Sequence, residues 1–579
     1  MSMKFEKGYF YEENGKRYIP LGIFACYFKV DFIGETLGRP IPHGRNSVLF
    51  QNLTNEQWHK FFAYLKQDGY TAIRMFPRGD SKRSAWEGLD LGGKVNQGLL
   101  KTMFDFLAVG REYGIKCQLG LFTEMECSFY CEPNTRRYWG EQFYSPDEIK
   151  SAPDYMRRFL KNLDDIVDYN DYYTDPDVRA CNKHFLDEII PLLKGNEDIF
   201  AVEISNEFGW ASPHAKPANT FRWEITDKYL EWERDIAQYV KSLAPELPLC
   251  QSNAGLGILG HDNIQWGKAV PTDFFSVHIY PDICGQIPES DYASVASMSI
   301  KYTQLAVPAM YGEWQVLDAE HLINVTDRVQ ALTARDITWL SLLNGSPGNI
   351  SWRGEGYKEY SAVTEVFKRL EGYDLTPKRA SITVNISEAY EWFTSLIHGG
   401  EKTCQFDIKA GDKRWCPDRS ATDGLHRYCV KVESEYNKIL QKLEMWSLET
   451  GVEYDMSLIE GKSLTDISIS DITNLKGTVP IKAPEGYHVK TLSSDDGKIT
   501  LIYLRNYTRL PIIRRYESEE VEIYSLRKQE KRNLTVEFNI KNREFDIFDL
   551  DNFTWKENLS TDDILNIGIT DHDYIIVVK

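Results

Sequence analysis

The stretch "IFAVEISNE", residues 199–207, decides how the rest of the chain is read. It is short, largely apolar and partly β-branched, the composition of a strand buried on both faces. It then stops on an amide and a carboxylate, Asn206 and Glu207, with Gly209 and Trp210 behind them. An apolar strand that ends on such groups raises the question of what collects at its end.

Seven other segments share its character: "YIPLGIFAC" (18–26), "YTAIRMFP" (70–77), "IKCQLGLF" (115–122), "LPLCQSN" (247–253), "DFFSVHIYP" (273–281), "PAMYGEW" (308–314) and "GNISW" (348–352). Between them lie helix-period segments. Thr54 and Gln57 read as a capping box ahead of Trp58, Phe61, Phe62 and Leu65, with Gly69 at the far end. "FLDEIIPLLKG" (185–195) and "RVQALTARDITWLSLLNG" (328–345) are two more helices. Eight strand–helix units predict an α/β fold, a (β/α)8 TIM barrel over residues 1–375. A doubly wound open sheet is the alternative, but no glycine-rich phosphate loop follows the first strand. The long connections at 79–96 and 123–177 are expected to wall a cleft.

Past "TPKRA" (376–380) the pattern changes. Residues 376–482 read as a small α/β domain: a strand at "SITVNI", a helix at "SEAYEWFTSLI" and a long amphipathic helix over 428–451. Residues 483–579 read as a C-terminal β-sandwich, with strands in "KITLIYLRNYT", "EVEIYSLR", "NLTVEFNI", "EFDIFDL" and "YIIVV" and a hairpin turn at "DDGK" (495–498).

Composition narrows the function. The 579 residues carry a formal charge of −19, which argues against nucleic acid as a partner. Aromatic content is 13%, a level that sugar-binding clefts and large cores both reach. The first twenty residues show no apolar signal-peptide core and no apolar run approaches membrane length, so neither export nor a membrane partner is expected. The ten cysteines are scattered, as in a reduced, cytoplasmic protein. Cys117, Cys127 and Cys131 are too loosely spaced, without a nearby His pair, to predict a metal. No cofactor and no metal are expected.

Barrel enzymes carry their chemistry at the C-terminal strand ends. Here those ends hold Arg74, Asn206, Glu207, His278, Tyr280, Glu313, Trp314 and Trp352. Two carboxylates can split a glycosidic bond, one as nucleophile and one as acid then base. Strand parity puts Glu203, Ser205 and Glu207 on one face and Asn206 on the other, so the strand must bulge or end its pairing if both Asn206 and Glu207 serve the site. Glu203, inside the barrel, is a rival for the acid role and needs a partner. Arg74 also fits an ordinary ion pair, His278 a core histidine and Trp352 barrel packing. Glu124 and Asn253 stand near other strand ends, and Trp210 and Trp314 are candidates for stacking on sugar rings.

This set resembles the large clan of retaining β-glycosidases built on the TIM barrel. Residue by residue, Arg74, Asn206, Glu207, His278, Tyr280, Glu313 and Trp352 are similar to the pattern of glycoside hydrolase family 5. One position departs: that family carries a His after strand three, where this chain has "LFTEMEC". The order barrel, small α/β domain, β-domain resembles the family 42 β-galactosidases. The resemblance implies Glu207 as acid/base, Glu313 as nucleophile kept ionised by Arg74, and Asn206 on the sugar hydroxyl beside the anomeric carbon. It also implies Tyr280 bonded to the nucleophile, Trp352 under the sugar and His278 on substrate or acid/base. Family 42 further implies a homo-oligomer, a trimer, with the middle domain at the contact. The expectation is a retaining β-glycosidase, exo-acting on short carbohydrates. An endo-acting glycanase and a non-catalytic carbohydrate-binding barrel are the alternatives.

Overall fold

The computed structural model describes residues 3–25, 53–76, 97–123, 173–206, 223–254, 263–279, 292–314, 327–351, 359–380, 382–387, 440–458, 479–509, 511–512, 525–526 and 531–579. All eight expected barrel strands are present: β4 (Leu21–Phe24), β5 (Ala72–Met75), β6 (Lys116–Thr123), β7 (Ile199–Asn206), β8 (Leu249–Ala254), β9 (Phe274–Ile279), β10 (Ala309–Trp314) and β11 (Asn349–Ser351). They close into a parallel ring in chain order, β11 pairing with β4. Each is buried on both sides, which is why they read as apolar runs rather than alternations.

The helices α1 (Asn55–Gln67), α2 (Gln97–Glu112), α3 (Pro176–Leu193), α4 (Trp223–Leu243), α5 (Asn263–Ala269), α6 (Tyr292–Thr303), α7 (Asp327–Leu343) and α8 (Glu359–Lys368) accompany these strands. The first begins as its sequence demands. Thr54 Oγ1 accepts from the Gln57 amide at 3.3 Å, and Gln57 Oε1 accepts from the Thr54 amide at 2.8 Å. Two orphan donors of the first turn are thereby satisfied. Trp58, Phe61, Phe62 and Leu65 then bury one face. Gly69 follows at φ +84°, where a side chain would strike the Ser361 backbone.

The N-terminal mouth of the barrel is plugged. Three short strands, β1 (Lys4–Glu6), β2 (Tyr9–Tyr11) and β3 (Arg17–Tyr18), form an antiparallel sheet beneath it. Its Phe10 ring meets Phe200 and Phe274 edge-on, both at 5.2 Å between centroids. These rings pack with Met310, Ile350, Ala72 and Ala201 in one apolar layer.

Beyond the barrel, β12 (Ile382–Asn385) and β13 (Tyr454–Ser457) form a parallel pair, with a helix over 440–450 between them in sequence. Glu444 of that helix accepts from Ser297 of α6 at 2.9 Å and Tyr454 at 2.7 Å. The tail then adds β14 (Tyr487–Ser493), β15 (Thr500–Asn506), β16 (Pro511–Ile512), β17 (Ser525–Leu526), β18 (Arg532–Val536), β19 (Glu544–Asp549), β20 (Thr554–Ser560), β21 (Leu565–Thr570) and β22 (Tyr574–Val578). Five of these make an antiparallel sheet in the order β14-β15-β22-β19-β20. One face, with Ile502, Leu504, Ile576 and Val578, packs with Leu534 and Val536 of the β18–β21 pair. The other face, with Leu501, Tyr503, Ile575 and Val577, joins the main core around the barrel helices. That second contact explains α7, which is buried on nearly every side from Leu332 to Leu343. Its Asp336 accepts from the Tyr503 hydroxyl at 2.5 Å and pairs with Arg505 at 3.1 Å. Arg335 reaches Asp551 and Asp573, both at 3.0 Å.

Among the described residues, no helix is long and apolar enough to cross a membrane.

Candidate active site

The C-terminal mouth is filled by charge. Arg74, on β5, points into the barrel and is completely buried. Its Nε and Nη2 donate to the two oxygens of Glu203 at 2.6 and 2.5 Å, and Nη2 also donates to Asn206 Oδ1 at 2.7 Å. Nη1 donates to Glu313 Oε1. One guanidinium thus ties β5, β7 and β10 together. Phe24 and Phe76 lie beside it, with ring centroids 4.6 and 5.0 Å from Cζ. Glu203 also accepts from Gln118 Nε2 at 2.8 Å. His278 brings Nδ1 to 3.7 Å from Glu313 Oε2.

Two glycines make the space. A Cβ on Gly120 would fall 1.8 Å from the Phe76 ring, and one on Gly312 would fall 1.7 Å from Ser276 Oγ. Each occupies an inward position of its strand where the neighbouring side chain fills the volume.

The electrostatics follow from pairing. Burial alone pulls the Arg74 guanidinium down, but Glu203 and then Glu313 more than offset it, so its pKa is raised. Burial alone pushes the Glu203 carboxyl up, but Arg74 beside it holds it below the usual carboxylate value. Glu203 is therefore an anion locked to Arg74, the opposite of a proton donor, and its rivalry for the acid role ends there. Glu313, with the same cation on one oxygen and an imidazole near the other, is a pre-oriented carboxylate.

Strand parity breaks on β7 in an instructive way. Glu203 and Asn206 both face the Arg74 cluster, which requires Ile204 and Ser205 to turn outward together. The neighbouring β6 does the same: Leu121 and Phe122 both join the outer core. The register Gly120–Glu203, Phe122–Ser205, Thr123–Asn206 runs on unshifted through this point. The two strands lose alternation in step, so Asn206 reaches the interior without an inserted residue.

The structure brings Arg74, Asn206, His278 and Glu313 together. It does not bring Trp314 to them: that ring lies in the core between barrel and helices, with its indole N–H donated to Asn349 Oδ1. Asn253 lies on β8 opposite Val277. Glu207, Glu124, Trp210, Tyr280 and Trp352 lie outside the described residues, as do Cys127, Cys131 and most of both long connections. Cys117 is buried in the main core. Among the described residues, Asp549, Asp551 and His572 could converge on a metal ion, but Asp551 is taken up by Arg335 and Arg509. Sequence reading missed Gln118, Phe24 and Phe76. A lone Gln inside the apolar run "IKCQLGLF" was the available signal for the first.

No family model matches this chain. A curated relative, the probable mannan endo-1,4-β-mannosidase A of Aspergillus clavatus, is 24% identical over 132 residues, 21% of this chain and 34% of that protein. The chain thus spans about a third of the length of the curated relative it matches. Among solved structures, an exo-β-1,4-mannosidase from Opitutaceae bacterium strain TAV5 is similar over 81% of this chain and 74% of its own, with 12% identity and a TM-score of 0.48. A GH5_18 protein from Streptomyces cattleya in complex with GlcNAc is similar over 80% and 99%, with 12% identity and a TM-score of 0.46. The family 42 layout finds no support among these relatives.

Proposed function

We propose that this protein is a retaining glycoside hydrolase acting on β-linked mannosides. The observation that carries the reading is the buried Arg74–Glu313 ion pair at the C-terminal mouth of the barrel, with Asn206 on the same guanidinium. The mannoside preference rests on the matched stretch of the Aspergillus mannanase.

In this reading Glu313 attacks the anomeric carbon while Glu207 gives its proton to the departing oxygen. A glycosyl-enzyme ester forms on Glu313 and the aglycone leaves as an alcohol. Glu207, now ionised, takes a proton from water, whose oxygen displaces Glu313 from the same anomeric carbon. Two inversions return a β-sugar. Asn206, fixed by Arg74, holds the hydroxyl beside the anomeric carbon. Arg74 keeps the attacking carboxylate in one rotamer, so little reorganisation is needed at the moment of reaction. The expected mode is exo action on short oligosaccharides.

The test is a panel of aryl β-mannoside, β-glucoside and β-galactoside, followed by proton NMR of the first-formed sugar. Release from the β-mannoside above the others, with a β-configured first product, is expected. No release from any β-glycoside, or an inverted first product, overturns the reading. Mannohexaose separates modes: mannose with mannopentaose at early times marks exo action, and mannobiose with mannotetraose, or mannotriose, marks endo action.

A further inference from the structure

The end of β7 lacks half of its sheet. Its ladder with β6 runs on to Thr123–Asn206, whereas its ladder with β8 stops at Glu203–Cys250. Past that point side chains take over. Ser252 Oγ donates to the Ser205 carbonyl at 2.7 Å. Ser205 Oγ, turned outward, donates to Glu233 Oε1 at 2.8 Å, with the Tyr229 hydroxyl 3.3 Å away. Glu233 stands on α4, wholly buried behind the barrel wall, and the mechanism above gives it no part.

We propose that Glu233 is a positioning residue: through Ser205 it holds the outward turn of β7, and so sets Asn206 at the barrel mouth. The link from anchoring to turnover rests on the function proposed above. The geometry demands such an anchor. Glu203 and Asn206 can share the interior only if Ser205 faces out, and a hydroxyl facing an apolar shell needs a buried partner. Burial pushes the Glu233 carboxyl up to about 8, against the opposing pull of the polar groups of Ser205, Tyr229 and Trp266 around it. Ser205 from β7, Tyr229 from its own helix and Trp266 from α5 surround it, and Glu203 across β7 and the Cys250 thiol on β8 act on it through charge. Near neutral pH the anchor is thus an uncharged acid, and ionisation above about pH 8 places a second anion behind Glu203.

The experiment compares wild type, Glu233→Leu and Glu233→Gln, the last keeping an uncharged carbonyl acceptor for Ser205. Amide hydrogen exchange over residues 203–207 at pH 6.5 needs no substrate. It should quicken about tenfold in Glu233→Leu, the scale of one lost buried hydrogen bond, and stay near wild type in Glu233→Gln. In kinetics, an aryl β-mannoside with a good leaving group bypasses proton donation. On it, kcat of the wild type should fall above about pH 8, and Glu233→Gln should hold its rate to higher pH. If Glu233→Leu does not fold, Ser205→Ala removes the same bond from the strand side. Equal exchange in every form overturns the anchor even if β-mannosides are cleaved. The expected exchange pattern without turnover of any β-glycoside keeps the anchor and overturns the proposed function instead.

Discussion

The two mouths of the barrel are made by the same eight strands and filled in opposite ways. At the N-terminal mouth Phe10, Phe200 and Phe274 interlock as a dry aromatic plug. At the C-terminal mouth Arg74, Glu203, Glu313, Asn206 and His278 form a charged cluster instead. The plug gains from every square ångström it buries. The charged layer must first lose its hydration, and well-packed apolar residues of similar volume often do as well or better for stability. A fold that needs only to close would use the first solution twice. The second solution belongs to the mouth to which the proposed chemistry is assigned.

Four changes sharpen that contrast. Glu313→Gln should have the largest effect, lowering kcat/KM on a β-mannoside about 10⁴-fold or more, equivalent to about 5 kcal/mol of transition-state stabilisation. Its circular dichroism spectrum should be unchanged, since Arg74 keeps Glu203 and Asn206 as partners. A variant with more than a tenth of wild-type activity would remove Glu313 from the mechanism.

Arg74→Met attacks the charged layer as a structure. It strands two carboxylates in the interior, a change that costs about 3–5 kcal/mol, and urea denaturation should show that loss alongside lost activity. Wild-type stability here would mean that the cluster is not a buried ion network. Phe10→Ala is the matching blow to the plug. A cost of about 3 kcal/mol is expected, but kcat per folded molecule should stay within about twofold because no strand end at the other mouth moves. A large fall in kcat at intact fold would show that the two mouths are coupled.

The smallest effect carries a sign. Glu203 has a folded pKa below its unfolded value. Its stabilisation is therefore complete above the ordinary carboxylate pKa and disappears as pH falls through the folded value. Glu203→Gln should cost about 2 kcal/mol at pH 7, the scale of hydrogen bonds to a charged group. The gap to wild type should narrow as pH is lowered below about 4. Urea midpoints at pH 7 and pH 3.5 decide it, and a constant gap would mean that Glu203 is not ionised in the folded protein.

The barrel was legible because parallel strands covered on both faces become short apolar runs, and each of the eight was visible as one. Arg74, Asn206, His278 and Glu313 were legible for the complementary reason: a polar group closing such a run stands out. The plug was not, because β1 to β3 are two or three residues long in a charged segment. β20, "TWKENLS", was missed because it is an edge strand largely open to solvent and shows no apolar alternation. β14 was missed because His488 and Lys490 interrupt its apolar run although both are buried. Phe24 and Phe76 look like any core ring in sequence. The place of Phe76 beside Arg74 depends on a gap opened by Gly120 on another strand. Period-two reasoning also failed locally, since the paired outward turns of β6 and β7 arise between strands. Trp314 follows Glu313 directly, and its opposite orientation sends it into packing.

The order β14-β15-β22-β19-β20 has a consequence for how the molecule is made. β22 sits in the middle of its sheet, bonded to β15 on one side and β19 on the other, yet it follows both in the chain. During synthesis the two flanking hairpins can form, but the seam between them stays open until residues 574–578 leave the ribosome. Until then Ile575 and Val577 are missing from the main core around the barrel helices. A nascent chain therefore carries a nearly complete barrel with one sticky flank, and a chaperone that shields that flank would raise the yield of the whole protein.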